Sequence, residues 1–307
     1  MDLLKLDIDR WISEFPLSDG DDAWNDLGMG TARGAACFEQ LRTRIAKSHD
    51  LGPSVPVDNF VWGYGEPERR DITKIGGLPY RPAVLKWPTF EGLPMTFVAQ
   101  FRFAESMDYL GELPGAVLLV FFRDNWITPE LIPGVVVFEW YPLGLKDLAR
   151  AVEVPPPGWD FVTAYGVRHR TVNYPEQSTH DLIKRLALPG IEDYYEEQYG
   201  DKLGSDDAAD RLASNFCSGG GAGIGGVCFW PPPNDNDLEF ELPARYLCSF
   251  SGVGPGSGEY PWLNQPQPLD VFEVIERSDE LMFSMWDGFV MNFSIDEGEV
   301  HWILQKD

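Results

Sequence analysis

Residues 74–82 read Lys-Ile-Gly-Gly-Leu-Pro-Tyr-Arg-Pro, and a strand-like apolar segment, Leu93–Phe101, follows them. An altered copy of this arrangement runs from Ile224 to Phe250, at a constant offset of 149 residues and without a gap. Seven of the 27 aligned positions are identical, and their first-copy members are Ile75, Gly76, Gly77, Pro82, Leu93, Pro94 and Phe101. Self-similarity at a fixed spacing indicates a duplicated structural unit, so the sequence predicts two related lobes.

The charge balance is the unusual property of the composition. The 307 residues include 49 Asp and Glu against 24 Lys and Arg, which gives a formal net charge of −25. Such a chain repels phosphate backbones and anionic membrane surfaces, so nucleic acid and membrane are excluded as partners. Two interpretations of the acidity remain open. It keeps the protein soluble, or it steers a basic protein partner toward the chain.

Cysteines and the N-terminus indicate a cytoplasmic protein. The four cysteines include no C-x-x-C pair and are too widely spaced for a disulfide framework. Residues 1–7 mix charges with leucines and contain no apolar signal region. The longest apolar run, Ala116–Phe122, is far shorter than a membrane span.

Periodicity along the chain predicts an α+β fold made of two tandem related lobes with mixed or antiparallel sheets, covered by peripheral helices. Apolar residues at helical spacing predict helices within a preface, residues 1–50. Residues 51–176 and 177–307 are predicted to form the first and second repeat lobes, packed as one unit. Enrichment in β-branched and aromatic residues predicts strands at Thr96–Phe103, Val117–Phe122, Val135–Trp140, Val271–Ile275, Phe289–Ser294 and Val300–Leu304.

No motif in the sequence demands a particular chemistry. Residues 221–226 satisfy G-x-G-x-x-G, but three prolines at 231–233 prevent the helix that a dinucleotide site needs. The four histidines lack metal-ligand spacing, and no serine-hydrolase elbow is present. We therefore expect no catalytic residue, no metal and no cofactor. Arg168-His169-Arg170 suits a small anion, although an ordinary charged strand is the commoner explanation.

A cleft between the two lobes is one candidate site. Gln100 and its counterpart Ser249 lie inside apolar strands, where a buried polar side chain needs a partner. Tryptophans beside prolines are suited to lining a groove, although core packing explains them equally. The candidate cleft residues are Tyr80, Arg81, Trp87, Gln100 and Ser249.

The densest acidic region, residues 192–210, is the other candidate site. It has a single Lys202 among its acidic residues. A solvated helical face and a docking surface for a basic partner both fit this pattern. The candidate partner-binding residues are Glu192, Asp193, Glu196, Glu197, Asp201, Asp206 and Asp207.

The first copy resembles the YwqG-like family of bacterial domains of unknown function. The resemblance is carried by Lys-Ile-Gly-Gly-Leu-Pro-Tyr at 74–80, by Trp87-Pro88, and by the strand Phe97–Phe101 that contains Gln100. The second copy departs from the pattern, because Gly223 replaces the Lys, Cys228 the Pro and Ser249 the Gln. The resemblance implies an α+β tandem-repeat fold and no known catalysis. It also implies occasional proximity to polymorphic-toxin genes.

Three hypotheses on function follow. The leading one is a cytoplasmic, non-catalytic binding protein, most specifically an immunity-type inhibitor that occludes a basic toxin domain with an acidic surface. The second is an enzyme or small-ligand sensor that uses the cleft between the lobes. The third is a housekeeping scaffold with no link to a toxin.

Overall fold

The computed structural model describes residues 53–123, 134–155, 163–173, 223–226, 245–251, 262–263 and 289–306, together with the single residues 12, 13, 40 and 43. Thirteen strands lie in these ranges. They are β1 (Val55–Tyr64), β2 (Lys74–Ile75), β3 (Thr89–Phe90), β4 (Leu93–Pro94), β5 (Thr96–Arg102), β6 (Val117–Phe122), β7 (Val136–Tyr141), β8 (Ala164–Asn173), β9 (Gly223–Gly225), β10 (Arg245–Ser251), β11 (Trp262–Leu263), β12 (Phe289–Asp296) and β13 (Glu299–Lys306).

Eleven of these strands form one sheet, and its strand order is approximately symmetric about the centre. The order is β13-β12-β10-β9-β1-β8-β2-β5-β6-β7, and β11 pairs in parallel with β1. The centre is an antiparallel ladder of ten residue pairs between β1 and β8. Strands β3 and β4 form a separate hairpin. We call β1–β7 the first half and β8–β13 the second half.

Outside the central ladder, the remaining sheet strands of the two halves occupy equivalent positions on opposite sides. In the first half Lys74 pairs with Gln100, and in the second half Gly223 pairs with Ser249, at the offset of 149 found in the sequence. Strands β5 and β10 also share the position of an irregularity, which falls between Phe97 and Ala99 in one and between Tyr246 and Cys248 in the other. The segments related in sequence therefore have the same strand register.

Apolar side chains fill the inside of the curled sheet and also cover part of its outside. Phe101 and Phe138 both contact Phe293, with ring centroids 6.0 and 5.5 Å apart, so aromatic residues of the two halves meet in the interior. A second apolar cluster lies on the outer face of the first half and includes Tyr80 and Phe97. The strand β6 is apolar at all six positions because it is buried on both faces.

The predicted α+β class with peripheral helices is wrong. The described residues are mostly β, and the long sheet curls into a nearly closed barrel. Helical structure among them is confined to α1 (Met107–Leu110), a 3₁₀ turn at Ala151–Glu153, and Ile12, Ser13, Gln40 and Thr43. Strand-favouring composition indicates which segments form strands, but it does not indicate whether one sheet closes around a shared core.

Most of the strand predictions that can be examined are confirmed, with shifts of one or two residues at their ends. Strand β6 matches its prediction, and β5, β7, β12 and β13 lie where strands were expected. The predicted strand Val271–Ile275 and the predicted lobe limits near residues 50 and 176 fall outside the described residues.

Replacing Phe293 by Ala is expected to destabilise both halves together. The substitution leaves a cavity where Phe101, Phe138 and Phe293 meet, so the free energy of unfolding is expected to fall by about 3–5 kcal/mol. Urea denaturation followed by tryptophan fluorescence measures it. As the control, Phe293→Leu is expected to lose less than about 1.5 kcal/mol. Equal losses for the two variants would show that the ring is not packed as described.

Candidate functional site

The carboxamide of Gln100 binds main-chain groups on both sides of β2. Gln100 is fully buried on β5. Its Oε1 accepts a hydrogen bond from Tyr80 N at 2.8 Å, and its Nε2 donates to Arg70 O at 2.7 Å and to Ile72 O at 2.6 Å. One side chain thus satisfies three main-chain groups that have left the sheet ladder. A glutamine fits here because it carries both an acceptor and two donors.

Lys74 binds Leu78 in the segment after β2 and Glu66 in the segment before it. Its side chain is fully buried, and Nζ donates to Glu66 Oε1 at 2.5 Å and to Leu78 O. Glu66 Oε2 accepts a hydrogen bond from Leu78 N at 2.9 Å. Burial lowers the pKa of Lys74 to about 8, although the Glu66 carboxylate opposes this shift. The amine is enclosed by its own partners, which argues against a role as an accessible nucleophile.

Gly77 leaves the space that the Glu66 carboxylate occupies. A Cβ built on Gly77 would lie 2.0 Å from Glu66 Oε2 and 2.7 Å from Thr163 Cγ2. The residue also has a φ of +68°, which glycine adopts without strain. Glycine at position 77 therefore has both a conformational and a steric cause.

Arg70 completes this set, which we call the anchoring network: Glu66, Arg70, Lys74 and Gln100. The Arg70 guanidinium donates to three carbonyl oxygens, those of Leu78, Pro79 and Ala149, at 3.1, 2.6 and 3.0 Å. Each polar side chain of the network binds main chain or another member. The network consequently fixes the main chain on both sides of β2.

A second charged group lies on the outer face beside the anchoring network. Arg81 makes a two-pronged ion pair with Glu139, at 2.6 and 3.0 Å, and also donates to Leu85 O and Lys86 O. Tyr141 donates its hydroxyl to Glu139 at 2.7 Å. Burial and the Glu139 carboxylate raise the pKa of Tyr141, so the phenol stays a donor.

A third charged group surrounds Asp58, which is fully buried on β1. Arg170 lies opposite Asp58 in the central ladder and binds it through two nitrogens, at 2.8 and 2.9 Å. Arg168, Ser106 and Tyr109 complete the contacts at 3.3, 2.5 and 3.2 Å. The anion that the Arg168-His169-Arg170 segment binds is thus a carboxylate of the same chain.

The second half lacks the anchoring residues at the equivalent positions. Gly223 stands where Lys74 does, and Ser249 stands where Gln100 does. The cross-strand neighbours on either side of Gly223 are nevertheless polar and buried. They are His169, Asn59, Ser249 and Asn292. Each of these four has an interaction partner. The two halves therefore share a register but differ in the chemistry of their outer faces.

The predicted cleft residues divide into two places. Tyr80, Arg81, Trp87 and Gln100 meet around the loop after β2. Ser249 lies on β10, which four strands separate from β5 in the sheet order. The predicted partner-binding residues at 192–207 fall outside the described residues. Sequence reasoning missed Glu66, Asp58 and Glu139. The chain has 49 acidic residues, and the sequence around any one of them does not indicate which basic residue it will contact.

The side chains of these three groups bind main-chain atoms or one another. Within the ranges that the structure describes, no group of three or more His, Cys, Asp or Glu residues could hold a metal ion. The one cysteine described, Cys248, is buried, and burial raises the pKa of its thiol. No helix in the described part is long and apolar enough to cross a membrane.

Substituting Gly77 by Ala is expected to disrupt the anchoring network. The new Cβ overlaps the Glu66 carboxylate, in addition to the roughly 1–2 kcal/mol that a positive φ costs a non-glycine residue. Gly92→Ala is the matched control, because Gly92 has a φ of +84° with no atom within 4 Å of the added Cβ. Chemical denaturation is expected to show Gly77→Ala at least about 2 kcal/mol less stable than Gly92→Ala. Similar stabilities would contradict the proposed steric role of Gly77.

The lowered pKa of Lys74 is expected to make stability rise with pH. The folded protein releases the Lys74 proton near pH 8, whereas the unfolded chain keeps it until about 10.5. Between these values the unfolded state binds more protons, so unfolding becomes less favourable as the pH increases. From pH 7 to 10 the wild type is expected to gain about 2–3 kcal/mol relative to Lys74→Met. A pH-independent difference between the two proteins would contradict the shift.

Comparison with known proteins gives one family match. The model of a domain of unknown function, DUF1963, matches residues 73–131, which begin one residue before Lys74 and include Gln100. No curated protein matches the chain. The matched stretch contains β2 to β6, and the similarity of this chain to a known family lies in that part of the first half.

Proposed function

We propose that this chain is a non-catalytic acidic binding protein, and specifically an immunity-type inhibitor that occludes a basic toxin domain by protein–protein contact. The distribution of charge carries the proposal. The described residues contain 14 Asp and Glu and 13 Lys and Arg, a net charge of −1, whereas the whole chain has −25. The remaining residues therefore hold a net charge of −24.

Ion pairs within the described residues support this separation of charge. Asp58, Glu66 and Glu139 are each paired with an arginine or lysine of the barrel. Arg102 is similarly paired with Asp71 and Glu105. These acidic groups balance the barrel's own cations, and the surplus negative charge belongs to the rest of the sequence.

The inhibitor acts by steering and steric exclusion. Its acidic residues, densest at 192–210, attract a basic surface and accelerate association. Close contact then covers the catalytic face of the toxin domain. We further propose that the chain is YwqG-like with a tandem repeat and works in the bacterial cytoplasm, where an immunity protein meets its toxin.

The first test is to identify the partner by its behaviour in salt. The tagged full-length chain is used as bait at about 0.05 and 0.5 M NaCl, since salt screens attraction between exposed charges. A basic protein is expected to bind the bait at low salt, and its binding is expected to be weaker at high salt. Expressed alone, that protein is expected to arrest growth, and co-expression of this chain is expected to restore it. Failure to find such a protein would overturn the inhibitor function.

A charge-reversal variant then tests the acidic region itself. Changing Glu192, Asp193, Glu196 and Glu197 to Lys is expected to slow association with the partner by about tenfold or more. The matched control changes the same number of exposed acidic residues on the barrel: Glu68, Glu112, Asp296 and Glu299. Equal slowing in both variants, measured by stopped-flow or interferometry, would assign the effect to net charge and remove this region as the binding surface.

A further inference from the structure

The segment between β5 and β6 contacts strands of both halves. We call residues 103–113, which include α1, the strap. Its own two flanking strands belong to the first half. Arg245 on β10 nevertheless donates to Leu110 O at 2.5 Å and to Glu112 O at 2.8 Å. The hydroxyl of Tyr109 lies 2.9 Å from Ile224 O on β9. The strap therefore joins the first half to two strands of the second.

Asp58 is the residue at which the strap meets the central ladder. It lies on β1, and its side chain is fully buried. From the strap, Ser106 Oγ donates to Asp58 Oδ2 at 2.5 Å, and the Tyr109 hydroxyl lies 3.2 Å from the same oxygen. From β8, Arg170 donates to both carboxylate oxygens at 2.8 and 2.9 Å, and Arg168 donates to Oδ2 at 3.3 Å. Donors of the strap and of the ladder thus converge on one carboxylate.

Arg170 is also fixed by groups other than Asp58. Its Nη1 donates to Asp108 Oδ2 at 2.5 Å, and its Nη2 donates to Glu105 O at 2.6 Å. Its guanidinium carbon lies 4.7 Å from the centroid of the Tyr109 ring. The guanidinium is therefore held in place by the strap itself, in a position where it can bind a carboxylate through two nitrogens. Such charge-assisted, bidentate bonds are among the stronger hydrogen bonds in proteins.

We propose that the Asp58 carboxylate is an internal ligand that keeps the strap closed against the barrel, and that the donors around it form a site for one small carboxylate. Without this group, Arg168 and Arg170 lose an anionic partner and Ser106 loses its acceptor. Polar groups that lose a partner are costly to keep buried, so the strap opens more often. The opening is local, because a side-chain substitution leaves the main-chain pairing of the ladder in place.

Hydrogen–deuterium exchange of the full-length chain measures the opening of the strap. In Asp58→Ala, amide exchange within residues 103–113 is expected to become about tenfold faster or more, because hydrogen bonds to a charged group are lost. Exchange in β6 is expected to stay as in the wild type. Formate supplies the carboxylate that the substitution removes. About 0.2 M sodium formate is therefore expected to restore slow exchange, whereas the same concentration of sodium chloride, which screens charge equally, is not.

Asp58→Asn is the matched control for the formate effect. Its carboxamide removes the negative charge but fills the space that formate needs, so exchange in the strap is expected to rise and formate is expected not to reverse it. Glu139→Ala removes a different two-pronged ion pair, with Arg81, and is expected to leave exchange in the strap unchanged. Circular dichroism verifies the fold of each variant. If Asp58→Ala does not fold, formate is expected to restore its folding, and the faster exchange is measured in Asp58→Asn.

Three results would overturn the proposal. Unchanged exchange within residues 103–113 in the Asp58 variants would show that the carboxylate does not hold the strap. Equal restoration by formate and by chloride would assign the effect to charge screening. Restoration by formate in Asp58→Asn as well would place the bound formate outside these donors. None of the measurements involves a partner protein, so their outcome is independent of the inhibitor function.

Discussion

The ten-pair ladder between β1 and β8 is the constraint on which the rest of the sheet depends. Its two outer edges carry unpaired main-chain groups that need partners. β2 adds to β8, and β9 and β11 add to β1. Growth outward from these edges places the two related segments on opposite sides of one sheet. The Asp58–Arg170 pair holds the ladder at one of its own cross-strand positions.

Polar residues of the first half serve mainly to hold a loop that leaves the sheet. Gln100, Lys74 and Arg70 together bind main-chain groups between residues 70 and 79 and the carbonyl of Ala149. A buried polar group without a partner costs about 1–3 kcal/mol, so such a loop persists only with these side chains. The DUF1963 match at 73–131 thus includes a structural requirement, and the matched residues do not by themselves identify a function.

Charge is distributed unevenly between the described residues and the rest of the chain. The barrel residues balance their own charges, and the surplus of negative charge lies in the remaining sequence. On the barrel itself, Asp58 is surrounded by donors from the strap and from β8. The two proposals therefore use different residues, one set acidic and attracted to a basic partner, the other a buried carboxylate with its own donors.

The sequence by itself determined the offset of 149 between the two similar segments and the places of strands β5, β6, β7, β12 and β13, because strand-favouring composition and the Ile-Gly-Gly turn are local properties. It also marked Gln100 as a buried polar residue in need of partners. Only the tertiary structure decided that the strands curl into one nearly closed barrel, and that Lys74 meets Glu66 and Arg170 meets Asp58. Closure of the sheet and ion pairing depend on which distant segments pack together, and no local sequence pattern specifies those contacts.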